Sequence, residues 1–324
     1  MSKAPEIGLA LSGGTARGLA HIGVLKALEE ESIPIDMIAG TSAGAVIGAC
    51  YAKERKATVL EEIALGIDWR KLARLVDLNL ILLWKGFVQG QKVTSFLSSI
   101  IGDTKFENLE IPFAVVAADV QTMEEIVIKT GPVIEAVRAS ISMPVIFTPV
   151  KWEDRFLIDG GVVNPMPVDI VRNMGAEIII AVNVLAVAQQ RKGEKRVEKK
   201  AKTKPSPRSE DARLSVVKKR INSLLRENKD KIKIFDELSH IAKTKIYTGR
   251  GKIDPQTPNI FDVLMQSIHA MEYERIRLAV KTANIVISPD VGNIGTFEFY
   301  KGEEAIAQGY KATKDILPRI REVI

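Results

Sequence analysis

The feature that most limits the folds open to this chain is a glycine-rich turn that occurs twice, each time between a short apolar run and a helical pattern. The first turn, at 12–18, reads Ser-Gly-Gly-Thr-Ala-Arg-Gly and follows the apolar run 6–11. The second, at 40–44, reads Gly-Thr-Ser-Ala-Gly and follows the apolar run 36–39. An apolar run, a tight turn and a helix predict a strand–turn–helix unit, and its repetition predicts an α/β fold.

Further short apolar runs are predicted to be strands of the same sheet. They lack the alternation of apolar and polar residues that marks a strand with one face in water, so we expect both faces of the sheet to be covered. The predicted strands are 112–120, 125–129, 156–158, 177–184 and 285–287, and the predicted helices include 19–28, 43–52, 263–278 and 302–320. We therefore predict a three-layer α/β domain, formed by 1–188 and 258–324, in which a mostly parallel central sheet has helices on both faces.

The composition agrees with a large globular protein. The chain has 324 residues, of which 46% are hydrophobic, and this is enough to bury a substantial core. No apolar run reaches the roughly 20 residues that a membrane-spanning helix needs. Residues 1–10 lack the basic and apolar regions of a signal peptide, so we expect a cytoplasmic protein. The single cysteine, Cys50, lies in an apolar helical pattern and is expected to serve packing rather than disulfide or metal chemistry.

A basic segment interrupts the α/β pattern. Residues 189–257 are predicted to be a partly disordered linker and a helical insertion, because their first part is charged and has few large apolar residues. Within them, 191–256 hold 21 Lys and Arg against 9 Asp and Glu, whereas the whole chain has 46 against 40. A lysine-rich segment of this kind is more often simply solvated, but the same charge suits anionic lipid headgroups, with nucleic acid as the less favoured partner.

A second interruption, 58–101, is mostly helical and has a strongly apolar middle at 75–88. Its position directly after the helix that follows Ser42 favours a lid, or a peripheral contact with a membrane. An ordinary pair of core helices explains the same pattern. The sequence leaves these interpretations open, and it does not define an oligomeric state.

The two turns differ in the chemistry that they favour. The pattern Gly-x-Ser-x-Gly around Ser42 is typical of a nucleophile at a sharp strand-to-helix turn, where larger flanking side chains would block the hydroxyl. The first turn suits an anion, since successive N–H groups and a helix N-terminus favour negative charge. It lacks the Gly-Lys-Ser/Thr of a nucleotide loop, and Thr15 replaces the second glycine of Gly-x-Gly-x-x-Gly. An oxyanion is therefore favoured over a nucleotide.

A serine nucleophile also needs a proton acceptor. None of the histidines has the position after a last strand that a hydrolase histidine normally takes, which disfavours a Ser-His-Asp triad. The chain has only His21, His240 and His269. Asp159, in the motif Asp-Gly-Gly, follows a predicted strand and is expected near the first two turns. No group of His, Cys, Asp and Glu has the spacing of metal ligands, and we expect neither a metal nor another cofactor.

The three motifs, in this order, resemble the patatin-like phospholipase family, over most of the chain outside about 189–257. The resemblance implies a patatin-like fold and a catalytic Ser-Asp dyad of Ser42 and Asp159. It also implies an oxyanion loop of Gly13, Gly14 and Thr15, with the supporting motif residues Arg17, Gly18, Gly40, Gly44, Gly160 and Gly161. The stretch 140–148 is similar to the segment that leads such chains into the dyad aspartate. This chain departs from the family at Thr15, where a third glycine is usual.

The reaction that the resemblance implies is hydrolysis of a lipid acyl ester, as in a phospholipase A or lysophospholipase. A small ester or an acyl thioester is the next alternative, and the bulky apolar residues in 75–88 favour long acyl chains. A different class of function is a non-enzymatic, membrane-associated scaffold that keeps the fold. Intact Ser42 and Asp159 argue against a scaffold.

Overall fold

The computed structural model describes residues 5–69, 91–144, 146–185 and 260–324. The predicted insertion and the apolar stretch 75–88 lie outside these residues. Across the described residues, eight strands form one sheet. They are β1 Ile7–Leu11, β2 Met37–Thr41, β3 Phe113–Asp119, β4 Glu125–Ile128, β5 Val150–Trp152, β6 Arg155–Asp159, β7 Ile178–Val182 and β8 Ile285–Ile287.

The sheet has a parallel part and an antiparallel part. Its order is β5-β6-β3-β2-β1-β7-β8, with β4 also paired to β3. The strands β3, β2, β1, β7 and β8 run parallel to one another. In contrast, β4 and β6 pair with β3 in the antiparallel sense, and β5 pairs with β6 in the same way. The predicted mostly parallel central sheet is confirmed.

Helices cover both faces of this sheet. They are α1 Ala20–Glu30, α2 Ala43–Glu54, α3 Ala57–Gly66, α4 Gln91–Ile101, α5 Val133–Ser140, α6 Val168–Asn173, α7 Ile260–Ala279 and α8 Gly302–Val323. On β1, Leu9 and Leu11 belong to one hydrophobic core, which includes residues of α1 to α5 and α8. Ala10 belongs to a second core with residues of α6 and α7. The two cores on opposite faces confirm the predicted three-layer α/β architecture.

Strand β5 is an element that the sequence pattern did not indicate. It has three residues, none of them fully buried, and it forms the edge of the sheet against β6. A strand this short on an edge does not need the continuous apolar run that marks the central strands.

The strand register brings the ends of β2 and β6 to nearly one level on either side of β3. Thr41, the last residue of β2, pairs with Val116 of β3, and the next residue of β3, Ala117, pairs with Asp159. Asp159 ends β6, and Ser42 directly follows β2. Because β6 runs antiparallel to β3, its last residue, Asp159, lies beside the turn that holds Ser42.

Candidate active site

Ser42 lies at a strained turn between β2 and α2. Its backbone has φ 54° and ψ −118°, a conformation that costs a non-glycine residue free energy. The flanking glycines leave no room for a side chain. A Cβ on Gly40 would lie 2.5 Å from the Gly44 carbonyl oxygen, and one on Gly44 would lie 2.3 Å from the Leu11 carbonyl oxygen. The two glycines thus permit the sharp turn that presents the Ser42 hydroxyl.

The Ser42 hydroxyl is hydrogen-bonded to Asp159. Ser42 Oγ donates to Asp159 Oδ2 at 2.7 Å, and both residues are buried. The other carboxylate oxygen, Oδ1, accepts from the Gly161 amide at 2.8 Å. Gly160 and Gly161 begin a short 3-10 helix directly after Asp159. Because both oxygens have a donor, the carboxylate is held in one orientation towards the serine.

Burial changes the acidity of this carboxyl. It raises the pKa of Asp159 from 3.8 to about 6, and the hydrogen bonds from Gly161 and Ser42 oppose the rise. A carboxylate with a raised pKa is a stronger base. Asp159 therefore has both the geometry and the basicity to receive the Ser42 proton near neutral pH.

Two further serines stabilise the turn and the carboxylate strand. The Ser42 amide donates to Ser140 Oγ at 2.8 Å, and Ser140 Oγ donates to the Val116 carbonyl at 2.6 Å. The Asp159 amide donates to the Ser142 carbonyl at 3.0 Å. Sequence reasoning singled out 140–148 without assigning these contacts. The stretch holds the backbone of both Ser42 and Asp159 from the α5 side.

Within the described residues, the amides of the glycine-rich loop differ in whether they already donate a hydrogen bond. The Gly13 amide donates to the Pro165 carbonyl at 3.0 Å, so this predicted oxyanion donor is already engaged. The amides of Gly14 and Thr15, and that of Ala43 directly after Ser42, donate to no acceptor within the described ranges. Thr15 has a φ of 50°, so a non-glycine residue occupies a left-handed conformation here.

Arg17 and Gly18 fix the same loop in place. Arg17 Nε donates to the Ile294 carbonyl at 2.8 Å, which ties the loop to the segment before α8. Burial lowers the pKa of the Arg17 guanidinium. A Cβ on Gly18 would lie 2.4 Å from the Ala43 side chain. The lack of a side chain at Gly18 therefore allows the loop to lie directly against α2.

The histidines have separate locations. His21 is fully buried, its Nε2 lies 2.9 Å from the Ser12 carbonyl, and burial lowers its pKa to about 4. His240 is outside the described residues. His269, on α7, lies close to the dyad and lines a small cavity with Ser42 and Asp159. The hydrogen bond from Ser42 Oγ nevertheless goes to Asp159.

A large cavity begins at Ser42 and extends between α2, α3 and α4. Its volume is about 270 Å³. Its wall is almost entirely apolar and includes Leu19, Ile22, Val46, Cys50, Ile63 and Leu97. Burial raises the pKa of the Cys50 thiol to about 12, as expected for a packing residue. The cavity offers an apolar environment directly beside the serine hydroxyl.

A smaller cavity, of about 20 Å³, lies on another side of the same serine. It is lined by the dyad, by the loop residues Gly14 and Thr15, and by α7. Helix α7 contributes two polar residues, His269 and Glu272. The sequence analysis set His269 aside as a triad base, and it missed Glu272 because no motif marks that residue. Burial raises the pKa of Glu272 to about 8, and the charge of Asp159 adds to the rise.

The described residues contain neither a group of metal ligands nor a membrane-spanning helix. No set of three or more His, Cys, Asp and Glu side chains in this part of the chain is arranged to hold a metal ion. None of its helices combines the length and apolar character needed to cross a membrane.

Comparison with known proteins gives a consistent family relationship. A family model described as patatin-like phospholipase matches residues 9–172. An NTE family protein of Mycobacterium tuberculosis is 36% identical over 186 residues, which are 56% of this chain and 50% of that protein. Human patatin-like phospholipase domain-containing protein 6 is 37% identical over 185 residues, which are 55% of this chain and 13% of that protein. This chain thus spans at most about half the length of these relatives.

A solved structure shares the fold. The crystal structure of VipD from Legionella pneumophila matches with a TM-score of 0.51 at 14% sequence identity. The match covers 98% of this chain and 67% of that one. At this identity the likeness concerns the fold alone.

Proposed function

Because the chain belongs to the patatin-like phospholipase family, we propose that it is a lipid acyl hydrolase with Ser42 as nucleophile and Asp159 as its proton acceptor. The observation that carries the proposal is the 2.7 Å hydrogen bond from Ser42 Oγ to Asp159 Oδ2. It lies at a strained strand-to-helix turn, in a buried site, where a carboxylate has raised basicity.

The first half of the reaction forms an acyl-enzyme. Ser42 Oγ attacks the ester carbonyl carbon while its proton passes to Asp159. The tetrahedral intermediate then breaks the bond to the leaving alcohol, and that alcohol oxygen takes the proton from Asp159. The acyl group remains on Ser42 until water removes it.

The negative charge of the tetrahedral intermediate needs donors beside Ser42. The amides of Gly14 and Thr15 suit this role, since both border the small cavity with Ser42 and are unpaired within the described residues. Each well-placed donor of this kind accelerates acyl transfer by about 10²- to 10³-fold. Gly13 supports the loop through its bond to Pro165, and it donates to the oxyanion only if that bond breaks.

The large cavity suits the acyl chain of the substrate. Each buried methylene contributes about 0.8 kcal/mol, so an apolar cavity beside Ser42 favours medium or long acyl chains over acetyl esters. The names of the relatives, a phospholipase domain protein and an NTE family protein, agree with a lipid ester. Membrane contact through 75–88 or the basic segment remains a prediction, as does a cytoplasmic location.

A serine-reactive fluorophosphonate probe tests this proposal against a scaffold. The probe phosphonylates only an activated serine, so we expect wild type to label at Ser42 and Ser42→Ala to remain unlabelled. Ser267→Ala is the matched control, because Ser267 lies exposed on α7 and its Oγ donates to the Val263 carbonyl of the same helix. Absence of labelling in wild type, or equal labelling in Ser42→Ala, would contradict a serine hydrolase and favour the scaffold.

A further inference from the structure

In the second half of the reaction, water removes the acyl group from Ser42, and this limits where that water can bind. In the proposed mechanism Asp159 gives its proton to the leaving alcohol and later receives a proton from water. One carboxyl performs both transfers. The alcohol oxygen and the water oxygen must therefore each come within hydrogen-bond reach of Asp159. In the proposed mechanism the large apolar cavity holds the acyl chain. The water must therefore approach Ser42 from the side that faces α7.

The small cavity has the size and polarity for a single water molecule. Its volume is about 20 Å³, and a cavity holds one water once it exceeds roughly 10–15 Å³ and offers two to four polar partners. The polar side chains that line it are those of Thr15, Ser42, Asp159, His269 and Glu272. Apolar side chains, among them Met143 and Met265, complete its wall.

The carboxyl groups of Glu272 and Asp159 both lie beside Gly161, on the side where a Cβ would stand. A Cβ built on Gly161 would lie 2.5 Å from Glu272 Oε1 and 3.1 Å from Asp159 Oδ1. Both carboxyls therefore border the same space beside Gly161. They are close enough for one water molecule to contact both. Across the described ranges, no hydrogen bond or ion pair holds the Glu272 carboxyl, so it can bind a water there.

We propose that the small cavity is the site of the hydrolytic water, and that Glu272, together with His269, holds this water against Asp159. This inference rests on the proposed function. The water oxygen attacks the acyl carbon and gives its proton to Asp159. The bond from the acyl carbon to Ser42 Oγ then breaks, Ser42 takes that proton back, and a fatty acid leaves.

The charges in the cavity agree with this assignment. Burial, with the Asp159 charge, raises the pKa of Glu272 to about 8, so a neutral carboxyl can donate to the water while Asp159 accepts from it. Burial, with the charge of Arg17, lowers the pKa of His269, which keeps its imidazole neutral. A second carboxylate beside Asp159 would instead repel the negative charge of the intermediate.

Single-turnover and steady-state hydrolysis of a medium-chain p-nitrophenyl ester test the proposal. For Glu272→Leu we expect acylation to be retained. Deacylation should slow by about 100-fold, because the attacking water is no longer held in position. The trace then shows a burst of about one equivalent of p-nitrophenol, and intact-mass analysis shows the acyl adduct on Ser42. Glu272→Gln keeps a donor of the same shape and restores most of the turnover.

Glu274→Leu is the matched control, because Glu274 lies on the same helix with an exposed side chain that pairs with Arg277 at 3.0 Å. It should behave as wild type. Normal turnover in Glu272→Leu, or an equal fall in acylation and deacylation, would overturn the water site while the proposed function stands. Ester cleavage that is absent from wild type or unchanged in Ser42→Ala would instead overturn the proposed function and this inference with it.

Discussion

The two cavities that meet at Ser42 differ in what their walls can recognise. The large one is shaped by apolar side chains of α2, α3 and α4, with Trp69 stacked on Phe299 at 5.0 Å between ring centroids. The small one has the dyad, His269 and Glu272 in its wall. An apolar wall selects by volume and tolerates variation, whereas polar groups fix the position of a reacting atom. Changes on the small side should alter the chemical rate, and changes on the large side should alter the range of substrates.

The pH dependence of hydrolysis should be set by the small side. Asp159 must be ionised to accept a proton, and its pKa is raised to about 6. As the pH falls below this value, kcat/KM should fall by about tenfold for each unit, for short and long esters alike. The pH profile of wild type, measured with acetyl and lauroyl esters, checks this.

An acid limb that depended on chain length would contradict the distinction between the two sides. The decline of the rate at high pH tests the same distinction further. If neutral Glu272 holds the water, the wild-type rate should decline as the pH passes about 8, and Glu272→Gln should lose this decline. The charged groups that face Glu272 and His269 are Asp159 and Arg17.

A smaller effect is expected on the large side. Ile63→Trp adds volume at a partly buried position in the cavity wall. With about 0.8 kcal/mol per buried methylene, loss of room for two carbons should lower kcat/KM for a lauroyl ester by about tenfold. Hydrolysis of the acetyl ester should change little, and a series of p-nitrophenyl esters from two to sixteen carbons measures the shift.

Leu65→Trp provides the control for this substitution. Leu65 lies on the same helix, but 48% of it is exposed, so the larger side chain extends into solvent. An equal fall for acetyl and lauroyl esters in Ile63→Trp would mean that the cavity does not receive the acyl chain.

The sequence was sufficient to predict the parts of this site that depend on local geometry. Gly40 and Gly44 around Ser42 specify a sharp turn by themselves, and the order of the motifs was enough to expect Asp159 nearby. The continuous apolar runs likewise predicted the buried central strands and the three layers. These features follow from a few neighbouring residues and from the strand–turn–helix repeat.

The rest of the site depends on contacts between distant segments. Glu272 lies on a partly exposed helix more than 100 positions after Asp159, and no spacing or composition marks it. His269 lies on the same helix, and its position in a late helix does not indicate a place beside Ser42. Engagement of the Gly13 amide by Pro165 likewise follows from tertiary packing. The predictions for 75–88 and 189–257 concern residues outside the described ranges and remain predictions.

The measurement that tests the central claim most directly is hydrolysis of p-nitrophenyl esters and phospholipid vesicles by wild type, Ser42→Ala and Asp159→Asn. We expect wild type to release fatty acid and both variants to lose at least about 10³-fold in kcat, as expected for loss of a nucleophile or its base. Asp154→Asn, an exposed carboxylate in the turn before β6, should retain full activity. Release of fatty acid by Ser42→Ala or Asp159→Asn at the wild-type rate would contradict the Ser-Asp mechanism.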